Sequence, residues 1–409
     1  MALIVQKYGG TSVGSIEKIK RVARRVIECR REGNQMVVVL SAMAGQTDGL
    51  IKLAREMTDN PDPRELDVLM ATGEQISVAL FAMAVKTMGF NARSFLGFQV
   101  AIHTNHRYGK ARIHSVDIDR IKEELKQNRI VTVAGFQGLD DYGDITTLGR
   151  GGSDTTAVAL AAVLKADVCE ILTDVDGIYT TDPNICPKAG KMDVISYDEM
   201  LEMASLGAKV LEIRSVEFAK KFDVPIHVRS SFINERGTMV IAETEDMEKV
   251  SVSGVAYNKN EARITIKKAP DSPGVASQIF EPVLKSGIVV DMIVQNTSED
   301  GLTDLTFTVA KPDFFETMNL VNTVAKKIKA KKVLGDEEIA KVSIIGVGMR
   351  SHAGVAQKMF EALAKENINI MMISTSEIKV SCVIEEKYTE LAVRVLHKTF
   401  GLDIEMDEN

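Results

Sequence analysis

Hydrophobic and polar positions fall into two textures along this chain. Residues 3–5, 36–40 and Ile130–Ala134 are short, largely apolar runs without alternation, and 167–172 reads as a fourth strand. Such runs predict strands covered on both faces, as in a parallel sheet between helices. Between them the apolar period lengthens to that of a helix. Ile16, Ile19, Val22, Ala23, Val26 and Ile27 share one face of a helix over 15–31. Residues 65–88 predict a long helix interrupted near Thr72-Gly-Glu74, and 196–202 and 215–221 predict two more. Residues 225–228 add a strand. Strand and helix alternate for roughly the first 240 positions, which predicts an open, mostly parallel sheet sandwiched by helices.

Each strand ends in small and polar residues: Lys7-Tyr-Gly-Gly-Thr-Ser12, Ser41-Ala-Met-Ala-Gly-Gln-Thr-Asp48, Gly135-Phe-Gln-Gly138 and Thr147-Leu-Gly-Arg-Gly-Gly-Ser-Asp-Thr-Thr-Ala157. A glycine-rich turn between strand and helix suits an anion, because free N–H groups and the positive end of the helix dipole point at it. Ser153 or Asp154 is expected to cap the helix that follows. Arg150 offers a planar fork for a carboxylate or phosphate, and Lys7 can neutralise phosphoryl oxygens. Glu74, a carboxylate among apolar residues, needs a partner such as a ligand ammonium. The acidic turn Thr173-Asp-Val-Asp-Gly-Ile-Tyr-Thr-Thr-Asp-Pro183 suits a nucleotide's base and ribose, or Mg²⁺ bridged to phosphates.

Charged residues 243–249 predict a linker, and beyond it the texture repeats. Gly274-Val-Ala276 matches Gly354-Val-Ala356 at a constant offset of 80 residues, as do Phe280-Glu281 with Phe360-Glu361 and Met292-Ile293 with Met372-Ile373. This predicts a duplicated module.

Composition narrows the function classes. A net charge of −7 leaves no basic footprint for nucleic acid. The N-terminus reads as a strand rather than a leader, and no uninterrupted apolar run reaches membrane length, so no membrane partner is expected. Cys29, Cys169, Cys186 and Cys382 are too scattered for a zinc motif, which suggests reduced thiols, a cytoplasmic location and no structural metal.

These motifs together resemble the aspartate kinases of the amino acid kinase superfamily, with two C-terminal ACT modules, over about residues 2 to 405. The resemblance implies transfer of phosphate from ATP, with Mg²⁺, to the side-chain carboxylate of L-aspartate. That is the first step towards lysine, threonine, methionine and diaminopimelate. It implies a catalytic domain at 1–245 and ferredoxin-like βαββαβ modules at 263–340 and 341–409, the last completed by a strand from 250–257. Lys7 and Asp154 would be catalytic. Ser41, Thr47, Glu74, Arg150 and Ser153 would bind aspartate, with Arg150 on its α-carboxylate and Glu74 on its ammonium. Lys7, Tyr8, Gly9 and Gly10 would hold the phosphates. Thr173, Asp174, Tyr179, Thr180, Thr181, Asp182, Pro183 and Asn184 would line the nucleotide pocket, with Lys209 near its phosphates. Some members carry His-Pro after this region's Lys-Val-Leu, where this chain has Glu212-Ile213.

Paired ACT modules imply a homodimer or higher oligomer, and feedback by lysine, threonine or both. Asp271, Gly274, Val275, Ala276, Val289, Val290, Asp291 and Gln295 would form an effector site in the first module. Val355, Ala356, Asn369, Ile370 and Ser376 are the counterparts in the second, and the first is the expected effector site. Two other readings stay open: a kinase of this fold for another acceptor such as glutamate, and a non-catalytic amino-acid sensor. An aspartate carboxylate, with a pKa of ~3.9, is already ionised and needs no general base, in keeping with six histidines that all lie outside the motifs.

Overall fold

The computed structural model describes residues 1–207, 210–245, 247, 251–296 and 300–403. It forms two compact units, Met1–Ile178 with Lys191–Met247, and Tyr179–Gly190 with Glu248–Asn409.

In the first unit the chain runs β1 (Leu3–Tyr8), α1 (Ile16–Arg31), β2 (Gln35–Leu40), α2 (Gln46–Met57), α3 (Pro63–Met70), α4 (Thr72–Thr87), β3 (Ala92–Phe95), β4 (Ile102–Thr104), β5 (Ile113–Val116) and α5 (Asp119–Lys126). It continues through β6 (Ile130–Ala134), β7 (Gln137–Leu139), β8 (Ile145–Thr147), α6 (Gly152–Leu164), β9 (Val168–Thr173), β10 (Val194–Ser196), α7 (Tyr197–Ser205), α8 (Ile213–Phe222), β11 (Ile226–Ser230) and β12 (Thr238–Ile241). Eight strands form one sheet in the order β10-β12-β11-β9-β1-β2-β6-β3, parallel except between β11 and β12. β1 lies between β2 and β9, so the connections leave it in opposite directions. The crevice beyond the carboxyl ends of such strands is where ligands bind in open α/β sheets.

A four-stranded sheet, β5-β4-β7-β8, sits beside the large one. Its strands, three or four residues long, carry too few positions to show a period. The expected break in the long helix falls at Ala71, between α3 and α4. Among the described residues, Pro63–Thr87 is the one helical run with the length and composition of a membrane span, although no uninterrupted apolar run marks it in sequence. Asp67 and Glu74 interrupt it, and 56% of its apolar window is buried inside the protein.

The second unit runs β13 (Gly254–Pro270), α9 (Val275–Lys285), β14 (Val290–Asn296), β15 (Leu302–Ala310), α10 (Phe314–Lys327), β16 (Lys332–Ile345), α11 (Val355–Lys365), β17 (Met372–Thr375), β18 (Lys379–Glu385) and α12 (Thr389–Thr399). Its six strands make one sheet, β14-β15-β13-β16-β18-β17, every neighbour antiparallel. The two long strands are shared. Residues 261–270 of β13 pair with β15, while 254–258 pair with 341–345 of β16. Residues 261–267 of β13 also pair with 332–339 of β16, so both long strands run through both repeats. Ile279, Val283, Phe307 and Val321 centre one core, and Met359, Leu363, Ile384 and Val393 centre the other.

Candidate active site

Strand pleating places Lys7 and Tyr8 on opposite faces of β1. Lys7 Nζ lies 2.7 Å from Asp154 Oδ1, with both side chains 11% exposed. The Tyr8 ring is fully buried among the residues packed under α1, and its hydroxyl donates to Gln6 Oε1 at 3.2 Å. Its side chain is therefore not available to phosphates, so the expected phosphate contact at Tyr8 would be through its backbone.

Backbone hydrogen bonds draw the loops together. Ser41 N donates to the Tyr8 carbonyl at 3.2 Å, Gly135 N to Leu40 at 3.1 Å, and Ala44 N to Gly10 at 3.2 Å. Close approach requires glycine at two points. A Cβ on Gly10 would lie 2.8 Å from the Ala42 carbonyl, and one on Gly135 would lie 2.6 Å from Ser153 Oγ. Thr47 is half-buried in the first turn of α2, whose helix starts from Gly45 in the left-handed region.

The start of α6 differs from the expected cap. Gly151, at φ 68°, is the capping residue, and no side chain closes the turn. Ser153 and Asp154 lie inside the first turn, both buried. Gly152 N and Asp154 N donate to the Gly149 and Gly151 carbonyls at 2.9 and 3.0 Å, so backbone closes the turn and the Asp154 side chain is left to meet Lys7. Arg150 is exposed at the tip of the loop before the helix.

Glu74 is 3% exposed. Its Oε1 accepts from Ala42 N at 3.0 Å, and its Oε2 is buried with no hydrogen-bond partner. Burial pushes its pKa up to about 7, against the pull of the Ala42 N–H. An unpartnered carboxylate oxygen of this kind calls for a donor, and a ligand ammonium is a suitable one.

Sequence reasoning missed Asp67, Arg214 and Ser231. Asp67 looks like any polar residue of a surface helix, yet it is fully buried and accepts from Gly109 and Thr147. Ser231, just past β11, accepts from Ser12 Oγ at 2.7 Å and donates from its N–H to the Thr173 carbonyl at 2.8 Å. Only the pairing of β9 with β11 brings it there.

The residues expected at the nucleotide fall in both units by chain position. Thr173 and Asp174 end β9 in the first unit, where the Thr173 hydroxyl donates to Asp174 at 3.1 Å. Tyr179, Thr180, Thr181, Asp182, Pro183 and Asn184 belong to the second unit. There Thr180 Oγ1 is 2.8 Å from His397 Nε2, and the Tyr257 hydroxyl donates to Asp182 at 2.9 Å. Asn184 also donates to Asp182, from its backbone and its side chain. Lys209 lies outside the described residues. Among those residues, Cys186, His397 and Asp403 are the one group of such side chains close enough to hold a metal ion. His397 Nδ1 lies 2.7 Å from Asp403 Oδ1 and 3.6 Å from Cys186 Sγ.

Five of the expected effector residues meet in one cavity. Asp271, Gly274, Val275, Ala276 and Gln295 line a hollow of about 390 Å³. Gly274 starts α9 at φ 91°. Val289 and Val290 are not among its lining residues, and Val289 is 78% exposed. Asp291 is instead ion-paired to the buried Lys341, which also holds Glu261 at 2.9 Å. In the second repeat Val355 and Ala356 pack against that module's core, Asn369 and Ser376 are exposed, and Ile370 lines a different cavity of about 660 Å³.

Residues 2–230 match the Amino acid kinase family, and residues 263–325 and 342–400 each match an ACT domain. Aspartate kinase from Pseudomonas putida is 59% identical over 404 residues, covering 98% of both chains. The chain belongs to the aspartate kinases, within the amino acid kinase family. The crystal structure of E. coli aspartokinase III in complex with aspartate and ADP shares this fold with a TM-score of 0.81 at 29% identity, covering 97% of this chain and 99% of that one. The same enzyme in complex with lysine and aspartate gives 0.76 at 28% identity, covering 98% and 99%. Members of this family are phosphotransferases, so the non-catalytic sensor reading falls.

Proposed function

We propose that this chain transfers the γ-phosphoryl group of ATP to the side-chain carboxylate of L-aspartate, giving ADP and 4-phospho-L-aspartate. The buried, unpartnered oxygen of Glu74 carries this reading, because a free α-ammonium would supply the donor it lacks. An acceptor with a blocked amine would leave that oxygen alone.

Arg150 would clamp the α-carboxylate bidentately, with Ser41, Thr47 and Ser153 supplying hydrogen bonds. The acceptor oxygen is already ionised, so catalysis reduces to alignment and charge neutralisation. Lys7 would carry positive charge to the transferring group, and Asp154 would hold the Lys7 ammonium in place. Gly9 and Gly10 would cradle the phosphates, beside the positive end of the α6 dipole. The nucleotide would also meet Thr173, Asp174, Tyr179 to Asn184, and Lys209. Mg²⁺ on the ATP phosphates would supply charge neutralisation there.

The domain limits 1–245, 263–340 and 341–409 follow from the same reading. The cavity around Asp271 and Gln295 would take lysine, threonine or both, as a feedback site of the lysine, threonine and methionine pathway. We place the enzyme in the cytoplasm as a homodimer or larger oligomer formed through its ACT modules.

ADP release with Mg-ATP and L-aspartate tests the assignment, run beside L-glutamate and with lysine, threonine or the pair added. Turnover with aspartate alone, suppressed by an effector, is the expected result. Equal turnover with glutamate would refute the substrate, and turnover indifferent to both effectors would refute the feedback.

A further inference from the structure

The segment Thr147 to Gly151 carries Arg150 on a loop, yet it is fastened from both sides by residues with no assigned role. On one side stands Asp67, fully buried on α3. Its Oδ2 accepts from the Thr147 N–H at 2.7 Å, and its Oδ1 accepts from the Thr147 hydroxyl at 2.7 Å. Both oxygens also accept from Gly109 N, at 3.0 and 2.9 Å. Gly109 in turn buttresses the loop, because a Cβ on Gly149 would come within 2.8 Å of the Gly109 carbonyl. On the other side stands Arg214 of α8. Its Nη2 donates to the Leu148 carbonyl at 2.6 Å and reaches the Arg150 carbonyl at 3.4 Å. Glu212 aligns that guanidinium at 3.3 Å, and a Cβ on Gly151 would fall 2.1 Å from Glu212 Cγ.

A loop arginine is a poor ruler unless its backbone is held. A carboxylate that accepts from three donors while buried, one N–H shared between its two oxygens, is costly to displace, because each lost bond leaves a buried polar group unpaired. We infer that Asp67 and Arg214 are positioning residues that set the place of the Arg150 backbone, and with it the acceptor length the site accepts. The inference rests on the reading of Arg150 as the carboxylate clamp. With the clamp held at one distance from the phosphates, aspartate presents its distal carboxylate at the right reach. Glutamate is one methylene too long, a difference a rigid site can convert into a 10- to 200-fold preference.

The test uses the full-length enzyme and four readouts: kcat/KM for aspartate, KM for ATP, the ratio of Kd values for glutamate and aspartate from calorimetry, and the thermal midpoint. Asp67→Asn keeps the shape and loses half the acceptor capacity. Arg214→Met sits at a half-exposed site and keeps the fold if the first variant does not. Both should lower kcat/KM for aspartate, Asp67→Asn by about 10- to 100-fold. Both should shrink the glutamate-to-aspartate Kd ratio, with KM for ATP moved less than about twofold. An unchanged Kd ratio in the folded variants overturns the inference, as do equal shifts in both substrates. Arg150→Ala separates the two claims. If it leaves aspartate binding unchanged, the clamp reading fails. If it weakens binding while Asp67→Asn and Arg214→Met leave the ratio intact, the positioning role alone fails.

Discussion

Lys7 Nζ stands 2.7 Å from Asp154 Oδ1, joining the end of β1 to the first turn of α6. The pair holds the ammonium where the phosphates would lie. Lys7→Ala should lower kcat by roughly a thousandfold, by analogy with the loss of a transition-state donor. Steady-state ADP release measures it, and near-normal turnover would remove Lys7 from the chemistry.

Glu74, with its pKa pushed up to about 7 by burial, should be largely protonated below neutrality when the site holds no ligand. A ligand ammonium pairs only with the ionised form. Aspartate affinity should therefore rise with pH up to about 7 and then level off, with a proton released on binding at pH 6. Calorimetry in buffers of different ionisation enthalpy reads that proton. Glu74→Gln should abolish its release. The folded-state pKa is raised, so ionising Glu74 costs stability as pH rises from its unfolded value through about 7. The ligand-free Gln variant should consequently gain thermal stability at pH 8 relative to the parent, and no gain at pH 5.

Gly135→Ala would press a methyl group to within 2.6 Å of Ser153 Oγ and 3.0 Å of its Cα. The helix start must move, at a cost of about 1–3 kcal/mol. Turnover should fall by more than the melting temperature suggests, which parallel assays and thermal melts would reveal.

Gly274 adopts φ 91° with open space around it, so a side chain there meets strain and no clash. Gly274→Ala should cost about 1–2 kcal/mol locally. It should weaken inhibition by the effector while leaving turnover without effector intact. Dose–response curves for lysine and threonine check this, and unchanged inhibition would move the effector elsewhere.

Lys341, buried between Glu261 and Asp291, links β16 to β13 and β14. Lys341→Met strands Glu261, and removing one member of a buried pair costs about 3–5 kcal/mol. Adding Glu261→Gln should recover part of the loss in a thermal melt. The Lys341 ammonium holds the Asp291 carboxyl below its usual range despite partial burial. Its contribution is present above the ordinary carboxylate pKa and lost as acid titrates the folded form.

Much of this molecule was legible in one dimension. The run 36–40 is apolar at every position, and Ile130–Ala134 at all but Thr132, because a parallel strand under helices has no wet face. The constant offset of the repeats announced two modules. These are local signals, carried by residues within a few positions of one another. Long-range pairing decided the rest. Asp67 and Thr147 are 80 residues apart, as are Lys341 and Glu261, and nothing near any of them marks the partner. The expected cap at Ser153 or Asp154 failed for a related reason. Gly151 can start the helix in the left-handed region, and Asp154 is then drawn to a lysine nearly 150 positions away. Composition and period reveal which elements form, because burial and backbone geometry act locally. Which side chains meet across the crevice depends on strand order, and only the folded sheet sets that.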